Sequence, residues 1–290
     1  MIKYRIGIIG TENFHAKAFS EQFNKPDSNG NFKYPDCRVT LIYGHYEDQN
    51  KLVAETYGAR VAENIEEMVE NVDAVMITAR DGKFHAEFAM PFIKAGIPAF
   101  IDKPFTVDSA EAKELISLAK ENNVPILAGS SLKFVDGVLK LKEAVNSSEK
   151  VYGGCVSAPV AMDSEYSGFY FYASHLVEMT LEIFGYNPKK VSAVKTDKGV
   201  CANIFYDDFI VTNQFNDGLY KYGIMANLKE GVIFDSVDDS EAFKRECENF
   251  VNMLRTGKMT HTYQEYITPV FYMNAIKEAY ETGKTVEIKY

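Results

Sequence analysis

No stretch of this 290-residue chain approaches the ~20 consecutive apolar residues that span a bilayer. Its first ten residues have the pattern of a strand, not of a charged leader with an apolar core and a cleavage site. Cysteine is scarce: Cys37, Cys155, Cys201 and Cys247 stand too far apart for a C-x-x-C redox or metal motif, and free buried thiols in a reducing cytoplasm are expected. The five histidines include no H-E-x-x-H or similar spacing, which argues against a metal site. Positive charge is in deficit: 31 Lys and Arg against 41 Asp and Glu leave a net charge of −10, which repels phosphate backbones and anionic lipid surfaces. A cytoplasmic protein with no nucleic-acid or membrane partner is expected. What remains, 46% hydrophobic and 25% charged residues, is an ordinary globular composition, and the length suits two domains.

The first 130 residues alternate between two periods. Short apolar runs at 4–9, 38–43, 74–77, 99–101 and 125–127, each bounded by turn residues, suit parallel strands buried on both faces. Helical patterns lie between them; the clearest starts at Asp108, with Glu111 three residues on and Ala112, Leu115, Ile116 and Ala119 along one stripe. From about residue 129 the pattern changes. A helix over 134–145 and a strand over 151–159 precede a Tyr- and Phe-rich loop and a helix over 173–184. Strands then follow one another at 190–196, 200–206, 209–215, 219–227 and 232–236, before helices at 240–254 and 263–281 and a strand at 285–290. The expected architecture is α/β: a doubly wound parallel sheet in residues 1–128, then an α+β domain with a mostly antiparallel open sheet in residues 129–290.

Chemistry-bearing residues gather where strands end. The first strand closes on Gly10-Thr-Glu-Asn-Phe-His15, the place of a dinucleotide-binding turn whose glycines admit a pyrophosphate to a helix N-terminus. Only Gly10 of the three glycines is present; Glu12 and His15 take the other two positions, and an ordinary strand-to-helix turn is an equal reading of these residues. His45 stands at the ribose position after the second strand. Thr78 and Arg80 follow the strand at 74–77, and Asp102-Lys103-Pro104 follows that at 99–101. Arg80 suits a phosphate contact or a surface ion pair, and His85 either lines the cleft or caps and packs its helix. The helix at His85 contains Pro91, which should kink it or lie near its end.

Taken with the segment Thr78 to Glu87 ending His-Ala-Glu, the tripeptide Asp102-Lys103-Pro104, the His175-Leu-Val-Glu178 helix and the Gly-Lys-Thr-Val-Glu-Ile ending, the chain resembles the Gfo/Idh/MocA family of NAD(P)-dependent oxidoreductases. The resemblance implies a Rossmann-type first domain that binds NAD or NADP. The cofactor would be lined by Gly10, Thr11, Asn13, Phe14, His45, Thr78, Arg80, His85, Asp102, Lys103 and Pro104. It also implies hydride transfer with a CH–OH group of a small sugar, polyol or related metabolite, and a homodimer or homotetramer. Lys103 and His175 match the family's proton-carrying residues; Tyr170 and Tyr172 either offer hydroxyls to the same substrate or belong to a packed aromatic lid or subunit contact. The family's Asp, four residues before the histidine, is Phe171 here. With Glu12 and His15, that substitution also allows a non-catalytic member that senses a ligand or binds a partner.

Overall fold

Val- and Ile-rich runs alternating with amphipathic helices build the first half of the chain. The computed structural model describes residues 2–290; Met1, at which the expected opening strand pattern begins, lies outside the described residues. The elements are β1 (Tyr4–Ile9), α1 (Phe14–Asn24), β2 (Cys37–Tyr43), α2 (Glu47–Tyr57), β3 (Arg60–Val61), α3 (Ile65–Asn71), β4 (Ala74–Ile77), α4 (His85–Lys94), β5 (Ala99–Asp102), α5 (Ser109–Glu121) and β6 (Ile126–Gly129). The sheet order is β3-β2-β1-β4-β5-β6, with β1 parallel to both β2 and β4. The winding reverses between β1 and β4, and open α/β sheets bind ligands beyond the carboxyl ends of such strands. Every residue of β4, β5 and β6 is buried, as helix-covered parallel strands require. Strand β3 is only two residues long, too short for any period to show in the sequence.

Asp108 caps α5 as its position suggests, accepting from the N–H groups of Ala110 and Glu111 at 2.7 and 3.0 Å. Pro91 lies inside α4, three residues before its end at Lys94, so the helix stops within one turn of the proline.

The later elements are α6 (Asp136–Ser147), β7 (Val151–Val160), α7 (Tyr170–Phe184), β8 (Lys190–Thr196), β9 (Gly199–Phe205), β10 (Ile210–Asp217), β11 (Gly223–Leu228), β12 (Gly231–Ser236), α8 (Ala242–Thr256), α9 (Tyr263–Thr282) and β13 (Val286–Glu287). Their seven-stranded sheet, β12-β11-β7-β10-β9-β8-β13, is antiparallel except where β10 runs parallel to β7. Several boundaries differ from expectation; β11, expected from 219, starts at Gly223 after the turn at Gly218, which has positive φ. Helix α6 starts at Asp136 because Ser131–Phe134 forms a 3-10 turn capped by Ser130. Helix α7 begins at Tyr170 and takes in the end of the aromatic stretch expected as loop, the chain having turned at Ser167 and Gly168, both at positive φ. The closing strand contracts to Val286–Glu287. All residues of α7 from Ala173 to Phe184 are buried, His175, Glu178 and Glu182 among them, so its polar side chains depend on internal partners.

The chain divides into two compact units, Met1–Ala128 with Phe243–Tyr266, and Gly129–Ala242 with Ile267–Tyr290. A single cut near residue 128 leaves out the return of α8 to the first unit. The return has a packing reason: Phe250, fully buried, meets the rings of Phe23 and Phe100 at 6.5 and 6.2 Å.

Replacing Asp108 with Ala removes two capping bonds and should lower stability by about 1 kcal/mol, measured as a lower urea midpoint with an unchanged transition slope.

Candidate functional site

The ends of β1 and β4 approach so closely that side chains are excluded between them. Gly10 has φ +96°, and a Cβ there would lie 2.2 Å from the Ala79 nitrogen. Thr78, fully buried, donates through Oγ1 to the Gly10 carbonyl at 2.8 Å. Thr11 donates to Asn50 Oδ1 at 2.6 Å, and Asn50 donates to the Gly44 carbonyl at 2.8 Å, tying the turn to the start of α2. His85 lies buried between the carbonyls of Ala79 and Pro104, at 2.8 and 2.7 Å. Burial pushes its imidazole down from the ordinary value, against the pull of the Ala79 carbonyl and Asp102. The side chains of Thr11, Thr78 and His85 thus have internal partners and brace the strand ends.

Glu12 turns one carboxylate oxygen onto the Arg80 backbone N–H at 2.8 Å, while its other oxygen is buried with no hydrogen-bond partner. Asn13 caps α1 through its carbonyl oxygen, leaving its Nδ2 donor buried and unpartnered. Phe14 is 68% exposed and packs edge-on against Phe243. His45, exposed after β2, touches the rings of Phe84 and Phe88 at 4.9 and 5.0 Å.

At the end of β5 the Asp102 carboxylate is 1% exposed and Lys103 4%. His15 Nδ1 pairs with Asp102 Oδ2, and the Lys103 N–H donates to Asp102 Oδ1 at 2.7 Å. Burial alone would raise the Asp102 carboxyl, but the charge and hydrogen bond of His15, with Lys103 and His85, hold it at about 2. The Pro104 ring fills the space a side chain at Gly82 would need.

In the second unit, β6 ends on Gly129, and the 3-10 turn after it meets α7. Glu178 Oε2 accepts from the Ser130 N–H at 2.8 Å and from Lys133 Nζ at 2.9 Å, both ionic side chains being 3% exposed or less. The carboxylate presses so near the backbone that a Cβ on Gly129, itself at φ +99°, would lie 2.0 Å from Glu178 Oε2. His175 Nδ1 is 2.7 Å from Ser130 Oγ, which also accepts from the Leu132 N–H. Where Phe171 gives the imidazole no carboxylate, Ser130 gives it a hydroxyl. Phe171 packs on Tyr166 and Tyr172, and Tyr172 in turn lies 5.8 Å from His175. The Tyr170 hydroxyl donates to Asn274. Ser130 and Asn50 carried no signal in the sequence; their partners lie 45 and 39 residues away.

Residues 4–130 match the family model described as "Oxidoreductase family, NAD-binding Rossmann fold", GFO_IDH_MocA. An uncharacterized oxidoreductase of Streptococcus pneumoniae is 31% identical over 148 residues, 50% of this chain and 36% of that one. The myo-inositol dehydrogenase Hyg17 of Streptomyces leeuwenhoekii is 32% identical over 122 residues, 36% of this chain and 37% of its own. The matched stretch therefore spans little more than a third of either relative. Among solved structures, GenD2 from gentamicin A biosynthesis, in complex with NAD, superposes with a TM-score of 0.85 at 15% identity, covering 100% of this chain and 97% of its own; this is a likeness of fold. The match places residues 4–130 with the NAD-binding Rossmann folds of the Gfo/Idh/MocA oxidoreductases.

The matched residues lie almost wholly in the first unit, an NAD-binding Rossmann fold whose turn fits a dinucleotide in two respects. Gly10 leaves the backbone bare, and the buried Asn13 Nδ2 is a donor awaiting an acceptor. Among the described residues no group of three or more His, Cys, Asp or Glu could hold a metal, and no helix is long and apolar enough to cross a membrane.

Removing Lys133 strands the Glu178 carboxylate in the interior. Lys133→Met should cost about 3–5 kcal/mol, read by chemical denaturation, and adding Glu178→Gln should restore part of the loss.

Proposed function

We propose that the chain is an NAD(P)-dependent dehydrogenase acting on a CH–OH group of a small sugar, polyol or related metabolite. The observation that carries this reading is Lys103, buried directly after Asp102 at the carboxyl end of β5, in a sheet wound to bind dinucleotides. Oxidising an alcohol removes a hydride and a proton; a bound nicotinamide supplies the hydride acceptor, and the protein must supply the base. Lys103 Nζ, when neutral, accepts the hydroxyl proton. Gly10 and Asn13 hold the pyrophosphate, with Phe14 beside them, and His45 meets the ribose end. Arg80 and the Asp102-Lys103-Pro104 turn shape the nicotinamide side, with Thr11, Thr78 and His85 bracing the strand ends. In the second unit His175, oriented by Ser130, is the other group proposed to hold a proton, and Tyr170 and Tyr172 are its candidate substrate contacts. The family relatives that support a polyol substrate include the myo-inositol dehydrogenase.

One observation favours a second reading. The Glu12 carboxylate occupies the Arg80 amide beside the pyrophosphate turn, where an anion would be repelled. A member that has given up turnover and senses a ligand would tolerate this. Titration with NADH and NADPH, followed by nicotinamide fluorescence, separates the readings: no binding of either at millimolar concentration supports the sensor.

A homodimer or homotetramer paired through the second unit's sheet is also proposed; Val194 and Ile210, 66% and 46% exposed on its strands, support it. Size-exclusion chromatography at micromolar concentration should then give at least twice the monomer mass.

Lys103→Ala should abolish NAD(P)-dependent turnover while NADH still binds and the fold stays intact; retained turnover would overturn the assignment.

A further inference from the structure

Resting on the reading of Lys103 as the base, we propose that His15 is a positioning residue that sets the proton affinity of Lys103 through Asp102. A dinucleotide turn ordinarily places a glycine at this point, for close packing of helix on strand. Here the position carries an imidazole in the first turn of α1, where the helix dipole disfavours a cation. The ring is therefore not there as a helix-end device, and its contacts give it a different task. Nδ1 pairs with Asp102 Oδ2, and the edges of Phe19 and Phe243 hold the ring at centroid distances of 6.2 and 4.8 Å.

Asp102 joins the two residues. One oxygen takes the imidazole, the other takes the Lys103 backbone N–H, and the carboxylate is almost fully buried. A bare buried anion beside a lysine favours the ammonium form, which is unable to take a proton from an alcohol. A protonated His15 offsets that anion and so favours the neutral amine. The charged and titratable groups acting on Asp102 include His15 from α1, Lys103 from the β5 end and His85 from the start of α4; α8 contributes the uncharged ring of Phe243. The influence of Lys103 on Asp102 is mutual, so whatever neutralises the carboxylate reaches the amine.

Competitive labelling with acetic anhydride across pH, read at Lys103 by peptide mass spectrometry, measures the neutral amine without any turnover. His15→Gln keeps a donor but not a charge, and should raise the Lys103 labelling midpoint by about one pH unit. Asp102→Asn should lower it, and in that background His15→Gln should have no further effect. Coincident midpoints for the wild type and His15→Gln, or an equal shift with and without Asp102, overturn the proposal. If the variants do not fold, the wild type still decides. A nitrogen–proton correlation spectrum of its histidines must show both ring nitrogens of His15 protonated, with Nδ1 hydrogen-bonded; a neutral ring overturns it. With an active enzyme, the acid limb of alcohol oxidation should move to higher pH in His15→Gln by the same interval. Turnover that survives Lys103→Ala defeats the proposed base alone, since labelling reports the His15 effect regardless.

Discussion

The bare backbone at Gly10 is the constraint on which the first unit's site depends. With no room for a Cβ between it and Ala79, the ends of β1 and β4 lie against each other, and the residues after them must share one small volume. Thr78 then reaches the Gly10 carbonyl, Glu12 reaches the Arg80 amide, and His85 spans to the Pro104 carbonyl. A larger residue at position 10 would separate the ends of β1 and β4 and loosen the Thr78 and Glu12 bonds together. The same closeness explains why most polar side chains at the turn are consumed internally, so that the donor left over, Asn13 Nδ2, stands out.

The second unit solves a comparable problem with charge. Glu178 and Lys133 are both out of water, a costly arrangement unless the pair is closely matched and the remaining lone pairs are filled. The Ser130 N–H fills one of them, and the absence of a side chain on Gly129 lets the carboxylate come near enough. Ser130 then faces His175 with its hydroxyl, so one turn after β6 both satisfies the buried acid and orients the imidazole. Phe171, the departure that left this histidine without a carboxylate, becomes a packing residue between Tyr166 and Tyr172.

Much of the architecture was legible because it is local. The alternation of buried runs and amphipathic stripes marks β1, β2, β4, β5 and α5, and Asp108 announces its helix by the bonds it makes two and three residues on. The two-residue β3 and the first turn of α7 were not legible. One is too short for a period, and the other is aromatic residues whose helical state depends on the turn at Ser167 and Gly168.

The site divides in the same way. The amino-acid sequence alone determined that Lys103 follows a buried parallel strand and that Gly10 closes the first one, since strand ends are set by local pattern. Only the tertiary structure decided what those residues touch. His15 meets Asp102 across 87 residues of chain, and Ser130 meets His175 across 45. No periodicity encodes such pairings; they exist because packing brings strand ends and helix starts together, and a buried charge takes whichever partner the fold delivers.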